Sequence, residues 1–274
     1  MRNKAFTLIE LLVVIAIVGI LSSVIYTNIT GLRDRAKITA GIRFDSSTLH
    51  SIGDLLVGEW TFDGGNAIDT SGFNNHGTVS GATFATTSGY NNKGAYLFNV
   101  ETNIITIPSS ETLKLTDKMT ISAWVNIAST GSMKGVIVSK HFQNFDYTFK
   151  YDNSQLMIRL VSGSTSYYTI KRGALDLNTW YNVVATWDKT LNSGKGRIFV
   201  NGSEVSYSQQ DALVDNVNTS AQPLYIGNDR ASCPCVEFSG LIDDVRVYSS
   251  SLSSSDIQKL YAEGISSHSS LANK

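Results

Sequence analysis

Cysteine and proline are almost missing from this 274-residue chain, which has two of the first and three of the second. The two cysteines, Cys233 and Cys235 in "SCPCV", exclude a disulfide framework as the basis of the fold. Two residues of extended chain span about 6.6–7.2 Å, at or beyond the usual Cα limit for a disulfide. Pro234 can turn the chain and close that gap, so a local disulfide and a pair of free thiols both fit. One C-x-C pair offers too few ligands for a metal site. Charge is sparse as well: Asp, Glu, Lys and Arg make up 16% of residues, and the net charge is −1. Lys and Arg are scattered, without the basic stripe that nucleic-acid binding needs, and that function is excluded.

Catalytic patterns are missing too. Glycoside hydrolysis needs two carboxylates about 5–5.5 Å apart for retention and farther apart for inversion. On a strand these are acids two positions apart, yet Glu59, Glu101, Glu111, Glu204, Glu237 and Glu263 have no such neighbour. Asp243 and Asp244 are adjacent, and strand alternation sends adjacent side chains to opposite faces. His50, His76, His141 and His268 form no H-x-x-x-H zinc motif. Neither a G-x-S-x-G elbow nor a phosphate-binding glycine loop occurs. The expectation is a protein that is not an enzyme.

What the chain does have divides sharply in two. Residues 4–21 read "KAFTLIELLVVIAIVGIL", and residues 11–29 carry no charge at all. At ~1.5 Å rise per residue, that uncharged segment spans about 28 Å, the depth of a bilayer's hydrocarbon core. Glu10 stands at its front, although a carboxylate in a membrane span costs about 2.5–3.5 kcal/mol. A secretory signal has a shorter apolar stretch and ends in a small-residue cleavage site. An ordinary anchor has no use for the acid.

This N-terminus, "AFTLIELLVVIAIVGIL", resembles that of type IV prepilins and the related pseudopilins. The resemblance implies a short leader, residues 1–5, removed between Ala5 and Phe6 by a prepilin peptidase, with methylation of the new amine. It implies that Glu10, fifth in the mature chain, pairs with the N-terminal amine of a neighbouring subunit in a filament. Opposite charges in an apolar helix bundle attract strongly, and either one alone is expensive. Such a pair sets the stagger between subunits. Two departures stand out: Ala5 replaces the family's usual Gly, and Thr27 replaces a Pro common in pilin helices. Arg33, Arg35 and Lys37 behind the span outnumber Arg2 and Lys4, so the N-terminus-inside orientation follows from the resemblance rather than from charge. Ile38, Ile42, Leu49, Ile52 and Leu56 then recur at helical spacing on one face, and the spine helix is expected over residues 6–53.

After Gly53 the pattern changes to short strands punctuated by Gly, Asn, Asp and Ser. "MTISAWVN" alternates with Met119, Ile121, Ala123 and Val125 on one face. "WYNVVATWD", "PLYIGND" and "GLIDDVRVY" read as further strands, and Asn201-Gly202 as a tight hairpin turn. About a dozen strands with frequent turns predict a β-sandwich or barrel. "LSSSDIQKLYAEG" predicts a closing helix capped by Ser253, with Asp256 in its first turn and Gly264 as its stop. Residues 265–274 read as a loose tail.

In order, "GEWTFDGGNAIDTSGFNNHGTV", "MTISAWVN", "WYNVVATWD", "RIFVNGSEV", "LYIGND" and "FSGLIDDVRVYSSSLSSSDIQKLY" resemble the laminin-G-like, concanavalin-A-like jelly roll over residues 54–264. The fold expected is therefore mainly β, a long hydrophobic α-helix followed by a jelly-roll sandwich. The resemblance implies a structural calcium, with Asp63, Asp69, Asp243 and Asp244 at the matching positions. Against that, Asp69 can cap its own "DTSG" turn, and Asp243 or Asp244 can neutralise Arg246. Trp60, Trp124, Trp180 and Trp187 sit in strand patterns and read as core, whereas Phe142, Phe145 and Tyr147 lie near a loop as ligand candidates. No binding site is located by the sequence. The combined resemblance implies a membrane-inserted precursor that joins a type IV pilus as a minor or tip subunit. Its head would face outward and bind a glycan or a surface protein. The alternatives are a structural pseudopilin without a ligand and a pilin-anchored glycan hydrolase.

Overall fold

The computed structural model describes residues 52–90, 92–129, 135–140, 146–229 and 238–269. The apolar span, Ala5, Phe6 and Glu10, like Phe142, Phe145, Cys233 and Cys235, lie outside the described residues. No helix among the described residues is long and apolar enough to cross a membrane.

Among the described residues, two antiparallel eight-stranded sheets face each other. The first runs β13 (Ser203–Glu204), β12 (Arg197–Val200), β11 (Trp180–Asp188), β6 (Lys118–Ile127), β16 (Gly240–Tyr248), β4 (Ala95–Phe98) and β3 (Thr83–Ala85), with β1 (Leu56–Trp60) also on β16. The second runs β14 (Tyr207–Gln210), β10 (Thr165–Lys171), β9 (Gln155–Ser162), β8 (Tyr147–Asp152), β7 (Gly135–Lys140), β15 (Leu224–Ile226), β5 (Ile104–Ile107) and β2 (Thr78–Ser80). Leu56, expected on the spine helix, instead opens β1.

The alternation in β6 does what the sequence predicts: Met119, Ile121, Ala123 and Val125 all point into the core between the sheets. Burying Met119, Ile121 and Val125 contributes about 1.5–3 kcal/mol each. Trp60 and Trp187 join them, and burial leaves each indole N–H needing an acceptor. Trp60 Nε1 donates to the Asn75 carbonyl and Trp187 Nε1 to the Gly194 carbonyl, both at 3.0 Å. In the β12–β13 hairpin Asn201 and Gly202 have φ of 50° and 74°, the left-handed pair that such a turn requires.

A second, smaller core covers the outer face of the first sheet. There Val184, Phe199 and Tyr248 meet Ile52 and three residues near the C-terminus, Leu252, Ile257 and Leu260. The last two belong to the helix α1 (Ser254–Ser269). Its start is as predicted: Ser253 Oγ accepts the Asp256 N–H at 3.2 Å and donates to Asp256 Oδ2 at 2.6 Å. Its end is not, because the helix continues through Gly264 to Ser269, into the expected tail. Gly264 is there for space: a Cβ would fall 2.8 Å from Trp124 Cζ2.

Candidate functional site: a carboxylate fork on β16

The last strand splits its partners. Residues 240–242 of β16 pair with β4, and residues 245–248 pair on the same edge with β1. Opposite, on β6, Asp243 faces Trp124 and Arg246 faces Ser122, so one extra residue is inserted between them. Asp244 takes a left-handed φ of 47°. This is a β-bulge, which breaks alternation and re-aims side chains. The expectation that Asp243 and Asp244 are separated by alternation is therefore corrected. Their charges act on each other across the bulge.

Where β1 leaves the fork and β4 enters it, the chain supplies Asp63 and Lys93. Lys93 Nζ lies 2.8 Å from Asp63 Oδ2. Asp63 raises the Lys93 pKa by hydrogen bond and charge, and Asp243 and Asp244 add to the effect. Asp243 is 1% exposed; its Oδ2 accepts the Tyr90 N–H at 3.0 Å. Its Oδ1 is buried with no hydrogen-bond partner among the described residues. Burial, reinforced by the Asp244 charge, pushes its pKa up to about 8. Asp244 is also raised by burial, with Arg246 opposing. Arg246 lies between two acids, its Nη2 at 3.1 Å from Asp244 Oδ1 and its Nε at 2.9 Å from Glu59 Oε1. Despite burial, those acids keep the guanidinium charged.

Of the four aspartates, Asp63 pairs with Lys93, and the charges of Asp243 and Asp244 act on the same ammonium. Asp69 has a different task. Its Oδ1 accepts the N–H groups of Glu59 and Ser71, each at 2.9 Å, and its Oδ2 accepts that of Asn75 at 2.8 Å. It caps the "DTSG" turn and ties that loop to β1. Among the described residues, no three carboxylate, imidazole or thiolate groups are arranged as a metal site.

The aromatic expectations divide. Trp60 and Trp187 are core, and Trp124 is also buried, but on the outer face of the sheet. The Tyr90 ring stacks on it at 3.4 Å between centroids, and Tyr261 of α1 lies at 5.9 Å. Trp180 is only half-buried and meets Tyr90 edge-on at 6.2 Å. Tyr147, a ligand candidate from sequence, is 1% exposed, and its hydroxyl donates to the Leu113 carbonyl. Its place beside a loop misled, because β8 turns the ring inward. Lys93 and Tyr90 went unnoticed in the sequence; neither stands in a motif, and the contact with Asp243 joins residues far apart in the chain.

A family model described as the concanavalin A-like lectin/glucanases superfamily matches residues 99–258, and the chain belongs to that superfamily. The prokaryotic N-terminal methylation motif matches residues 1–26, so one chain joins a prepilin-type N-terminus to a lectin-like head. No curated protein matches it. Solved structures of similar fold include domain 4 of AbnA, a GH43 extracellular arabinanase from Geobacillus stearothermophilus, in complex with arabinotriose. That likeness has 18% identity and a TM-score of 0.60, and covers 75% of this chain and 98% of that one. The binding domain of Paraclostridial Mosquitocidal Protein 1 matches at 14% identity and TM-score 0.61, over 77% of this chain and 53% of that one. Botulinum neurotoxin type C, whose cell entry depends on two ganglioside molecules, matches at 15% identity and TM-score 0.61, over 79% and 53%. The chain spans about half the length of the two toxin structures. At these identities the likeness shows the fold alone.

Proposed function

We propose that this protein is a minor or tip subunit of a type IV pilus-like filament, displaying its lectin-like head for adhesion to a glycan or a surface protein. The observation that carries this reading is the union, in one chain, of the methylation motif at residues 1–26 and the lectin-like domain. A prepilin peptidase would cut between Ala5 and Phe6, and Glu10 would dock the helix among other pilin helices. The protein would wait in the cytoplasmic membrane and then stand on the cell surface with its head outside. A binding role is also supported by similar folds that were solved with arabinotriose or serve ganglioside-dependent entry. A head of this size is awkward to pack at every filament position, which favours a minor role. Sheared filaments should contain the chain as a faint band, and a dominant band would overturn that part. A glycan array probed with the detergent-solubilised chain tests adhesion: hits are expected, and a blank array from folded protein would leave a structural subunit.

We also propose that the fork takes a structural calcium ion. Hard carboxylate oxygens suit calcium, and the support is the buried, unpartnered Oδ1 of Asp243. As they stand, the acids are not arranged as a metal site, so Asp63 would first have to leave Lys93 before it, Asp243 and Asp244 could close on the ion. Calcium should raise the unfolding temperature, and Lys93→Ala should enlarge that gain. An unfolding temperature indifferent to calcium and chelator would dismiss the ion.

A further inference from the structure

A cavity of about 610 Å³ opens at the far end of the first sheet and shares no residue with the fork. It lies between the turn after β11, the β12–β13 hairpin and the start of α1. The volume is in the range of roughly 300–1,000 Å³ usual for small-ligand sites. Its chemistry is mixed in a specific way. Arg197 is already neutralised: its Nη2 lies 2.5 Å from Glu204 Oε2 and donates to Ser254 Oγ at 2.6 Å. Asp188 is held in place by the N–H and O–H of Thr190, at 2.7 and 2.6 Å. Lys195 lines the same space and forms no ion pair among the described residues. Leu191, 56% exposed, adds an apolar contact beside these polar groups.

The wall carrying Leu191 is a strained turn. Asn192, Ser193 and Gly194 have φ of 48°, 56° and 72°, three left-handed residues in a row. Asn adopts that conformation readily, so the cost falls on Ser193, and such strain gathers at binding sites. Here the Asn192 side chain donates to the Lys195 carbonyl at 3.2 Å, and Gly194 N–H to the Leu191 carbonyl at 2.8 Å. The turn is thus pre-organised, which lowers the ordering cost of binding.

We propose that this cavity binds a short, neutral oligosaccharide. Two acids balance two bases around it, so it holds no net charge to select an anion. Fixed donors and acceptors beside one apolar side chain match a ligand whose hydroxyls both donate and accept and whose C–H faces are apolar. The site rests on the adhesive reading above and gives that reading a location.

The test uses the full chain in detergent micelles on an array of neutral, sialylated and sulfated oligosaccharides. Neutral glycans should bind. Lys195→Ala and Leu191→Ala together should weaken the best of them at least tenfold without moving the unfolding temperature, and Lys195→Arg should keep binding near wild type. Neutral-glycan binding that survives the double substitution would overturn the pocket and leave the adhesive reading standing. Binding confined to sialylated or sulfated glycans would overturn the neutral class. A blank array from folded wild-type protein would remove the adhesive reading and the pocket with it.

Discussion

Gly264 of α1 lies against the edge of the Trp124 indole, so close that a methyl group on its Cα would sit 2.8 Å from Cζ2. The indole cannot move aside, because it is 3% exposed and stacked on Tyr90. Gly264→Ala therefore sets two effects against each other. Alanine improves helix propensity by roughly 1 kcal/mol, whereas overpacking costs about 1–3 kcal/mol. The clash with an immobile ring should win, and thermal unfolding should show a lower midpoint. Adding Trp124→Leu should remove the penalty of the glycine change; an alanine variant as stable as wild type would show that the helix simply shifts.

Asp69 tests whether its carboxylate is structural. Three N–H groups converge on it, and hydrogen bonds to a charged group contribute about 1.5–3 kcal/mol each at best. Asp69→Asn turns one oxygen into an NH2 that faces a donor. It should cost about 2–3 kcal/mol by urea unfolding, while leaving any response to calcium intact. Loss of the calcium response with unchanged stability would return Asp69 to the ligand set.

These two residues show what sequence patterns convey. Period-two alternation read β6 correctly, because its residues facing the core between the sheets are apolar, and β11 and β16 were legible as apolar runs bounded by turn residues. Asn201-Gly202 was legible because the turn's backbone demand falls on the residues that meet it. Gly264 was misread because a glycine needed for close approach looks the same as a glycine that ends a helix. The bulge left no mark, since aspartate at Asp244 occupies a left-handed position without glycine's help. Lys140 is fully buried, its Nζ held by the carbonyls of Ser220 and Gln222 and by Asp146 at 2.7, 2.8 and 3.1 Å. Nothing local distinguishes it from a surface lysine. The fork is likewise made of long-range partners, so three of its acids could be named in advance but not their neighbours Lys93 and Tyr90.

The pH response of the calcium-free protein follows from Asp243. An unfolded aspartate titrates near ~3.9, and in the fold Asp243 keeps its proton up to about 8. Between those values the folded state binds more protons than the unfolded one, so stability falls as pH rises. The contribution is complete below ~pH 4 and gone above about 8. In chelator, the unfolding temperature should drop by several degrees from pH 5.5 to 8.5, since ~1 kcal/mol moves a domain of this size by about 2–4 °C. Asp243→Asn should flatten that part of the profile. A wild-type profile that rises across this window would mean that Asp243 is ionised throughout.

Glu10→Ala separates a filament subunit from a protein that merely uses a pilin-like anchor. The apolar segment behind Glu10 is unchanged by the substitution, and removing a carboxylate lowers the cost of insertion by about 2.5–3.5 kcal/mol. Membrane retention should therefore be at least as strong as in wild type. Docking is different: without its partner, each incoming N-terminal amine would be buried unpaired, a loss of about 3–5 kcal/mol per subunit, or roughly a hundredfold to several-thousandfold in assembly. The variant should stay in the membrane fraction and vanish from sheared filaments. Incorporation at the wild-type level would remove the pairing role from Glu10 and leave the acid at the front of this span without an explanation.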